Sequence, residues 1–309
     1  MQAIRFCIVD RSRIDFTTKA GAPVCAPRDL AFYHSQMPEL PEVEVTRRGI
    51  APHIEGQVVT DVILRREGLR WPFPSGLPHI LRKQRVVSTG RRGKYLLLHF
   101  EHGSLIIHLG MSGHLRILTG DPPPGKHDHV DLVLGQSRMR FTDPRRFGAL
   151  LWHAKEEGDI ESHVLLRALG AEPLGCSDMG QRLYRATRSR SAPIKQVLLA
   201  GDIVVGVGNI YACESLFHAG IHPATPAKRI SLARYEKLAL QIQRVLAAAI
   251  EQGGSSLRDF IGADGQSGYF QQTYYVYDRE GERCRQCGAT VRRIVQGQRS
   301  TFYCGRCQR

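Results

Sequence analysis

Four cysteines near the end of the chain constrain its fold more than any other feature. Cys284 and Cys287 form one Cys-x2-Cys pair, and Cys304 and Cys307 form a second pair after a spacer of sixteen residues. A tight turn at each pair directs two thiolates to one side, and two such turns make a tetrahedral all-thiolate zinc site. Four protein ligands close the site, so the pattern predicts one structural Zn²⁺ that stabilises a module of about 30 residues.

This paired-cysteine module is also rich in arginine. A stiff, arginine-rich hairpin suits contacts with phosphate groups. Zinc ribbons also occur in ribosomal and transcription proteins, so the module alone leaves that class open and implies no enzyme. The arginines of the module are Arg279, Arg283, Arg285, Arg292, Arg293, Arg299, Arg306 and Arg309.

The charge of the whole chain indicates a polyanionic partner. Lys and Arg number 43 against 29 acidic residues, which gives a formal net charge of +14. Nucleic acid is favoured over anionic lipid, because no helical segment pairs a basic face with a clean Trp/Leu face. The longest apolar stretches, such as residues 95–98, are strand-sized, which excludes a transmembrane helix.

The remaining cysteines and the first residues bear on where the protein works. Cys7, Cys25, Cys176 and Cys213 are scattered, unlike a secreted disulfide scaffold, so we expect a cytoplasmic, reducing setting. Residues 1–36 lack an apolar signal segment and contain three acids, which argues against secretory and organelle-targeting peptides. We interpret them as a disordered extension, or as a start placed too far upstream of Met37.

Beyond Met37 the pattern indicates a β-rich part followed by a helical part. Pro41 and Glu42 favour a helix start just before an amphipathic run over residues 43–54. Short apolar runs separated by turn residues then predict a β-sandwich or barrel. The predicted strands are residues 58–64, 95–100, 104–109, 130–134 and 150–152, and the later predicted helices are 161–169, 192–199, 211–219 and 232–252.

A glycine pair precedes one of these helices. Gly206-Val207-Gly208-Asn209 lacks the third glycine of a dinucleotide-binding loop, so a nucleotide cofactor is disfavoured. We interpret it as a turn that admits a DNA backbone to the helix N-terminus, with Asn209 as both N-cap and phosphate donor. A plain helix-turn-helix hairpin with a capping Asn is the alternative.

Pro38 and Glu39 form a third candidate site. If Met37 begins the protein and is removed, Pro38 carries a free secondary amine, and α-amino groups have a pKa of about 7.7–8.0. Such an amine can attack an electrophilic sugar carbon and form a Schiff base, with the adjacent carboxylate as acid or base. Taken alone, the motif is more readily interpreted as a lead-in to the helix.

Read together, these motifs resemble one family, the formamidopyrimidine-DNA glycosylases of the MutM type. The resemblance covers residues 37–309 in order. The Pro-Glu-Leu-Pro-Glu start favours this family over the related endonuclease VIII group, which usually has Pro-Glu-Gly-Pro-Glu. The matching segments are MPELPEVE at 37–44, GKY at 93–95, HLGMSG at 108–113, KHDH at 126–129, DPRRFG at 143–148, GVGNIY at 206–211 and the four-cysteine module.

The resemblance implies an α+β fold and a repair enzyme. The fold has an N-terminal β-sandwich with a leading helix, a helical helix-two-turns-helix domain, and a C-terminal zinc-finger β-hairpin. The implied domains are residues 38–168, 169–272 and 273–309, after an extension at 1–37. The implied partner is double-stranded DNA with oxidised purines or abasic sites, bound by a monomer in the cytoplasm at the nucleoid.

The resemblance also implies four catalytic roles. Pro38 is the Schiff-base nucleophile at C1′ of the damaged nucleotide, and Glu39 is the acid that helps to open the deoxyribose ring. Lys94 contacts phosphate and takes part in β-elimination. Arg299 of the hairpin grips phosphate and assists δ-elimination. If residues 1–37 remain attached, Pro38 is a tertiary amide, and the alternative is a catalytically silent protein that binds damaged DNA.

Further residues are implied to contact DNA. Met111, Arg145 and Phe147 form a wedge that fills the gap left by the extruded base, although without the resemblance both apolar residues are more readily interpreted as core. Residues 262–272 form a lid over the flipped base. Arg190 lies in a segment that can be aligned one or two residues either way. The other implied contacts are His127, Arg145 and Asn209.

Overall fold

A computed structural model describes residues 38–254 and 274–309. The predicted extension at 1–37 and the predicted lid at 262–272 lie outside the described residues. The description begins with α1 (Leu40–Ile54), which has Pro41 in its first turn. The backbone amide of Glu39 donates to the Glu42 side chain at 2.9 Å, so the helix start predicted from Pro41 and Glu42 is confirmed.

Eight strands and a short helix follow α1 in the N-terminal part. The strands form two antiparallel four-stranded sheets, ordered β1-β6-β7-β5 and β2-β3-β4-β8. The elements are β1 (Asp61–Leu64), α2 (Leu77–Leu81), β2 (Ser88–Arg92), β3 (Tyr95–Phe100), β4 (Gly103–His108), β5 (His114–Thr119), β6 (Asp128–Leu134), β7 (Ser137–Thr142) and β8 (Ala149–Ala154).

The two sheets enclose one apolar core. Leu98 and Leu105 of one sheet and Leu132 and Phe141 of the other are each at most 2% exposed and belong to the same cluster. Alternating side chains from two facing sheets make such a core, so this part is a β-sandwich. The same cluster takes in Val43 and Ile50 from α1 and thereby fixes the leading helix to the sandwich.

The second part is helical. It contains α3 (Met179–Ala186), α4 (Ile194–Ala200), α5 (Asn209–Ala219) and α6 (Leu232–Glu251). Its core includes the fully buried Tyr211, Tyr235 and Leu246, and it also takes in Leu40 from the start of α1. The leading helix therefore contributes to both cores, and its N-terminal end lies against the helical part.

The helix predicted over residues 161–169 is wrong. Only a 3₁₀ turn, Ile160–Ser162, forms there, and turns follow it. Leu166 is fully buried but Val164 is 63% exposed. Leu166 packs with Leu97 and Ile106, and the partly buried Ile160 and Leu169 pack against the same small cluster. So few buried side chains do not stabilise a helix.

The C-terminal part is a hairpin of β9 (Arg292–Gln296) and β10 (Arg299–Tyr303). Gly297 and Gln298 form its two-residue turn, both with positive φ, as a tight hairpin turn requires. The two cysteine pairs flank the strands. In the part of the chain that the structure describes, no helix is long and apolar enough to cross a bilayer.

Candidate active site

A buried carboxylate lies at the N-terminus of α5. Glu39 is 4% exposed. Its Oε1 accepts a hydrogen bond from the Ile210 backbone amide at 3.0 Å, and its Oε2 accepts one from the Tyr211 backbone amide at 3.5 Å. Free amides and the helix dipole make this position favourable for a negative charge. The predicted acid is thus held by a helix far along the chain from its own.

This contact corrects the prediction that Asn209 is the N-cap of α5. The N-cap is Gly208, Asn209 is the first helical residue, and the Glu39 carboxylate takes the amides of Ile210 and Tyr211. A carboxylate of the protein itself therefore occupies amides at the helix N-terminus, where the sequence predicted an approach of the DNA backbone. The Asn209 side chain instead donates to the Ser300 carbonyl at 3.1 Å.

Two glycines allow α1 and α5 to meet. A Cβ on Gly208 would lie 2.1 Å from Cδ of Glu39, and a Cβ on Gly206 would lie 2.5 Å from Cδ1 of Leu40. Gly206 also has a φ of +86°, a backbone conformation that residues with a side chain rarely adopt. The Gly-x-Gly motif therefore makes room for the start of α1.

Burial raises the pKa of Glu39 to about 7. The Lys94 ammonium opposes that effect, the Glu42 carboxylate adds to it, and the two backbone hydrogen bonds lower the pKa. Glu42 is fully buried and accepts a 2.6 Å hydrogen bond from the Tyr211 hydroxyl. A carboxyl group with this pKa can give up or take a proton near neutral pH.

Lys94 lies in the turn between β2 and β3. Its pKa is lowered by burial and by Arg299, whereas Glu39 acts to raise it. The turn is set by Gly93, whose φ is +58° and whose amide donates to Glu172 at 2.6 Å. A Cβ on Gly93 would lie 2.5 Å from Val205, so this turn packs directly against the segment that leads into α5.

Arg299 begins β10 and is exposed. The hairpin that carries it is anchored by Lys195, a fully buried residue of α4, whose Nζ donates to the Ser300 carbonyl at 3.0 Å and to the Thr301 hydroxyl at 2.6 Å. With the Asn209 bond to the same carbonyl, these contacts fix the hairpin against α4 and α5. Four predicted site residues, Glu39, Lys94, Asn209 and Arg299, thus share one region.

The four cysteines of the module converge. Their Sγ atoms all lie within 4.8 Å of one another, with Cys284 and Cys307 at 3.9 Å and Cys287 and Cys304 at 3.5 Å. A tetrahedron with Zn–S bonds of about 2.3 Å has sulfur atoms about 3.8 Å apart. The cluster therefore fits one structural zinc ion.

The predicted wedge residues come together from two loops. Met111 follows β4 and Phe147 precedes β8, and both line a cavity of about 390 Å³ together with Arg70, His108 and Gly110. Phe147 is 47% exposed, so it is not a core residue. The Arg145 guanidinium lies 5.4 Å from the centre of the Phe147 ring.

Two predicted DNA contacts lie in other loops. The carbonyl of the half-buried His127 accepts a hydrogen bond from the Asp143 amide at 3.0 Å. Arg190 forms a 2.7 Å ion pair with Asp202. The nearby Arg188 lies 3.8 Å over the Tyr184 ring and donates to the carbonyls of Lys228 and Ile230, so both arginines have partners within the protein.

Comparison with known proteins identifies the family. A curated formamidopyrimidine-DNA glycosylase from Janthinobacterium sp. (strain Marseille) is 69% identical over 273 residues, which are 88% of this chain and 100% of the relative. The chain belongs to the formamidopyrimidine-DNA glycosylase family. A second formamidopyrimidine-DNA glycosylase, from Herminiimonas arsenicoxydans, is 67% identical over the same share of each chain.

Family models match each part of the chain. The N-terminal domain model of the family matches residues 37–150, and its H2TH domain model matches residues 169–261. A zinc finger described as found in FPG and IleRS matches residues 281–309. The fold expected from the resemblance is confirmed.

Solved structures agree with this assignment. The MutM (Fpg) protein of Thermus thermophilus has a TM-score of 0.78 and 37% identity, covering 88% of this chain and 98% of its own. A Lactococcus lactis Fpg in complex with DNA that contains an abasic site has a TM-score of 0.81 and 31% identity, covering 88% and 100%. The likeness therefore extends across the whole glycosylase fold.

Sequence reasoning missed several buried polar residues. Lys195 and Glu42 are fully buried, and Glu214 is 2% exposed, with its carboxylate accepting from the amides of Tyr275, Val276 and Tyr277. A lysine or glutamate within an amphipathic helix is ordinarily read as a solvent-facing residue. Only the glutamate within the apolar run Ala212–Phe217 carried a signal, because an acid on an apolar face needs a partner.

Proposed function

We propose that this protein is a base-excision-repair enzyme that removes oxidised purines, 8-oxoguanine and formamidopyrimidines, from duplex DNA and then nicks the strand. The observation that carries the proposal is the Glu39 carboxyl, next to Pro38 in the chain, with a pKa raised to about 7 at the N-terminus of α5. Lactococcus lactis Fpg is known in complexes with DNA that contains Fapy-dG or an abasic site, which supports the same substrate class.

The proposed chemistry starts at Pro38. Its neutral amine attacks C1′ of the damaged nucleotide, the glycosidic bond breaks, and the base leaves with the bonding electrons and takes up a proton. The Pro38 nitrogen loses its N–H proton and Glu39 gives its own proton to the sugar ring oxygen, so the ring C–O bond breaks as the nitrogen lone pair forms the iminium ion of the Schiff base. Because Glu39 is half-protonated near pH 7, it can serve as this acid and afterwards regain its proton.

The iminium ion then makes the sugar C2′ protons acidic. Loss of one of them expels the 3′ phosphate in β-elimination, and δ-elimination expels the 5′ phosphate. We assign Lys94 to phosphate contact and β-elimination, and Arg299 to phosphate contact and δ-elimination. The effect of Glu39 and Arg299 on the Lys94 pKa supports a common site for the three side chains. The zinc ion, held by the four cysteines, stabilises the hairpin that carries Arg299.

We infer that the remaining predicted residues hold the duplex. His127, Arg190 and Asn209 bind phosphates, and Arg145 pairs with the base left opposite the lesion. Met111 and Phe147 fill the gap in the stack. The exposure of Phe147 and the cavity that it shares with Met111 support this role, because an apolar side chain needs free space beside it to enter a base stack.

Catalysis requires that the working protein begin at Pro38. With residues 1–37 attached, Pro38 is a tertiary amide without a lone pair for attack, and the protein would bind damaged DNA without cutting it. The family model match that begins at residue 37 supports the shorter form. We propose that the chain comprises three functional domains, residues 38–168, 169–272 and 273–309. We also propose that the protein is a monomer that works in the cytoplasm at the nucleoid.

A trapping experiment tests the proposal. The protein is incubated with a duplex that contains 8-oxoguanine opposite cytosine, borohydride is added, and intact mass is measured. We expect a covalent adduct on chains that begin at Pro38, and none on chains that retain residues 1–37. Binding without an adduct on chains with a confirmed Pro38 terminus would instead identify the catalytically silent DNA-binding protein.

A further inference from the structure

One buried carboxylate connects the two loops that carry the wedge. Asp143 is fully buried, and its Oδ1 accepts a hydrogen bond from the Ser112 hydroxyl at 2.7 Å. Its Oδ2 accepts one from the Gly148 amide at 2.8 Å. The Ser112 hydroxyl in turn accepts from the Arg145 amide at 3.1 Å. Met111 directly precedes Ser112 in the chain, Phe147 directly precedes Gly148, and the Arg145 amide is itself a donor in this network.

Close backbone packing brings the same loops together. A Cβ on Gly110 would lie 2.5 Å from the backbone of Phe147 and Gly148, and Gly110 has a φ of +69°. A Cβ on Gly148 would lie 3.0 Å from Oδ2 of Asp143. The loop after β4 thus rests directly on the loop before β8, and the carboxylate joins them from inside the protein.

The network also reaches the predicted phosphate contact. The Asp143 amide donates to the His127 carbonyl at 3.0 Å, and the His129 ring nitrogen Nε2 lies 2.9 Å from the Asp143 carbonyl. Asp143 therefore fixes three chain segments through its side chain and its backbone. Two hydrogen bonds to the side chain of this fully buried residue and two to its backbone make the junction stiff.

We propose that Ser112 and Asp143 are positioning residues that hold Met111, Arg145 and Phe147 as one rigid unit for base extrusion. The inference rests on the proposed function and adds to it a reason why the wedge can act. Arg145 and Phe147 are exposed at the tip of a loop. An exposed loop that deforms when it meets DNA cannot displace a stacked base. A loop that is hydrogen-bonded to a buried carboxylate keeps its conformation and can do so.

Two substrates separate positioning of the wedge from general damage to the enzyme. An 8-oxoguanine duplex requires a base to leave the stack, and a duplex with a preformed abasic site does not. For Ser112→Ala we expect single-turnover base excision to slow about 10-fold, as displacement of an aligning group does, and abasic-strand cleavage to slow less than about twofold. Asp143→Asn, which keeps the shape but not both acceptors, is expected to show the same split.

Ser104→Ala is the matched control. Ser104 is a buried serine of β4 with one side-chain hydrogen bond, to His99 at 2.9 Å, and it lies in the other sheet from Ser112's neighbour β5. We expect a comparable loss of thermal stability with no change on either substrate. Unchanged base excision in Ser112→Ala, or equal slowing on both substrates, would overturn the proposal.

A double-mutant cycle tests whether Ser112 acts through the wedge. In a Met111→Ala background, adding Ser112→Ala should slow base excision by less than about twofold, because coupled residues are non-additive. A full effect in that background would contradict the inference. If the parent chain cuts neither duplex, the proposed function fails. The network is then tested with a duplex that carries 2-aminopurine next to the abasic site. The increase in 2-aminopurine fluorescence on protein binding should be smaller for Ser112→Ala than for the parent, and an equal increase would refute the inference.

Discussion

The Oε1 atom of Glu39 accepts a hydrogen bond from the Ile210 amide at 3.0 Å, between residues 171 positions apart in the chain. The contact joins the first turn of the leading helix to the N-terminus of α5. It holds the proposed acid beside Pro38, and it takes the helix amides that an anion would otherwise bind. The proposed active site therefore forms only when the sandwich and the helical part are docked.

Gly208→Ala should abolish most of the activity. The new Cβ would lie 2.1 Å from Cδ of Glu39, so the carboxyl group must leave its position. We expect base excision to slow at least about 100-fold, because small displacements of a catalytic group are costly. Single-turnover kinetics on the 8-oxoguanine duplex measure this effect.

Gly125→Ala is the control for that variant. Its Cβ would meet only the Asp128 side chain, at an ordinary contact distance of 3.4 Å. We expect its base excision within about twofold of the parent, as for most surface substitutions. If Gly208→Ala behaves in the same way, the position of Glu39 is not what limits the reaction.

The rate of base excision should depend on pH with a maximum near neutrality. It should rise as the Pro38 amine loses its proton, with a pKa of about 7.7–8.0, and fall as Glu39 loses its own. Burial raises the pKa of Glu39 to about 7, so the alkaline limb begins there rather than near pH 4.5. Single-turnover rates measured from about pH 5.5 to about pH 9 test this. A rate that is still rising above pH 8 would exclude Glu39 as the acid.

Glu39→Gln should change how stability depends on pH. The folded-state pKa of Glu39 is raised from 4.5 to about 7. The contribution of Glu39 to the free energy of unfolding is therefore fully present below pH 4.5 and is lost as the pH rises to 7. Relative to the parent, the variant's free energy of unfolding should therefore increase by about 1.4 kcal/mol for each pH unit across that interval. Chemical denaturation at pH 5 and pH 7 measures it, and identical differences at the two pH values would contradict the raised pKa.

Loss of zinc should weaken DNA binding and leave the sandwich folded. Cys304→Ser removes one of four converging thiolates, and a closed structural site loses its metal readily when a ligand is missing. We expect loss of bound zinc and at least about 10-fold weaker binding of an abasic duplex, because one lost hydrogen bond between charged groups costs about 1.5–3 kcal/mol. Cys176→Ser, which alters a free cysteine outside the cluster, should change neither quantity. Unchanged binding after confirmed zinc loss would show that the hairpin does not contact DNA.

Lys195→Met should loosen the hairpin while preserving side-chain volume. The substitution removes the lysine donor to the buried Thr301 hydroxyl and one of the two donors to the Ser300 carbonyl, which keeps its bond from Asn209; the loss costs about 1–3 kcal/mol of stability. Because the same hairpin carries Arg299, the fraction of β- over β,δ-elimination product should increase. Gel analysis of the nicked strand measures this ratio. Lys237→Met, on the exposed face of α6, is the control and should leave it unchanged.

The short motifs could be interpreted from the sequence because each depends on neighbours along the chain. Cysteine spacing predicted the metal cluster, and Pro41 with Glu42 predicted the start of α1. Strands such as β2 (Ser88–Arg92) and β7 (Ser137–Thr142) were missed because they carry arginines. In β7, Arg140 is 2% exposed because Asp131 on the adjacent strand accepts its hydrogen bonds.

What the sequence determined by itself is local: the four zinc ligands, the helix that follows Pro38, the basic charge, and the set of motifs that identifies the family. What the tertiary structure decided is the environment of those residues. Glu39 has its raised pKa because distant segments bury it, and Asp143 joins two loops because the sheets bring them together. Burial and hydrogen bonding between distant residues depend on packing in three dimensions, which spacing along a chain does not specify.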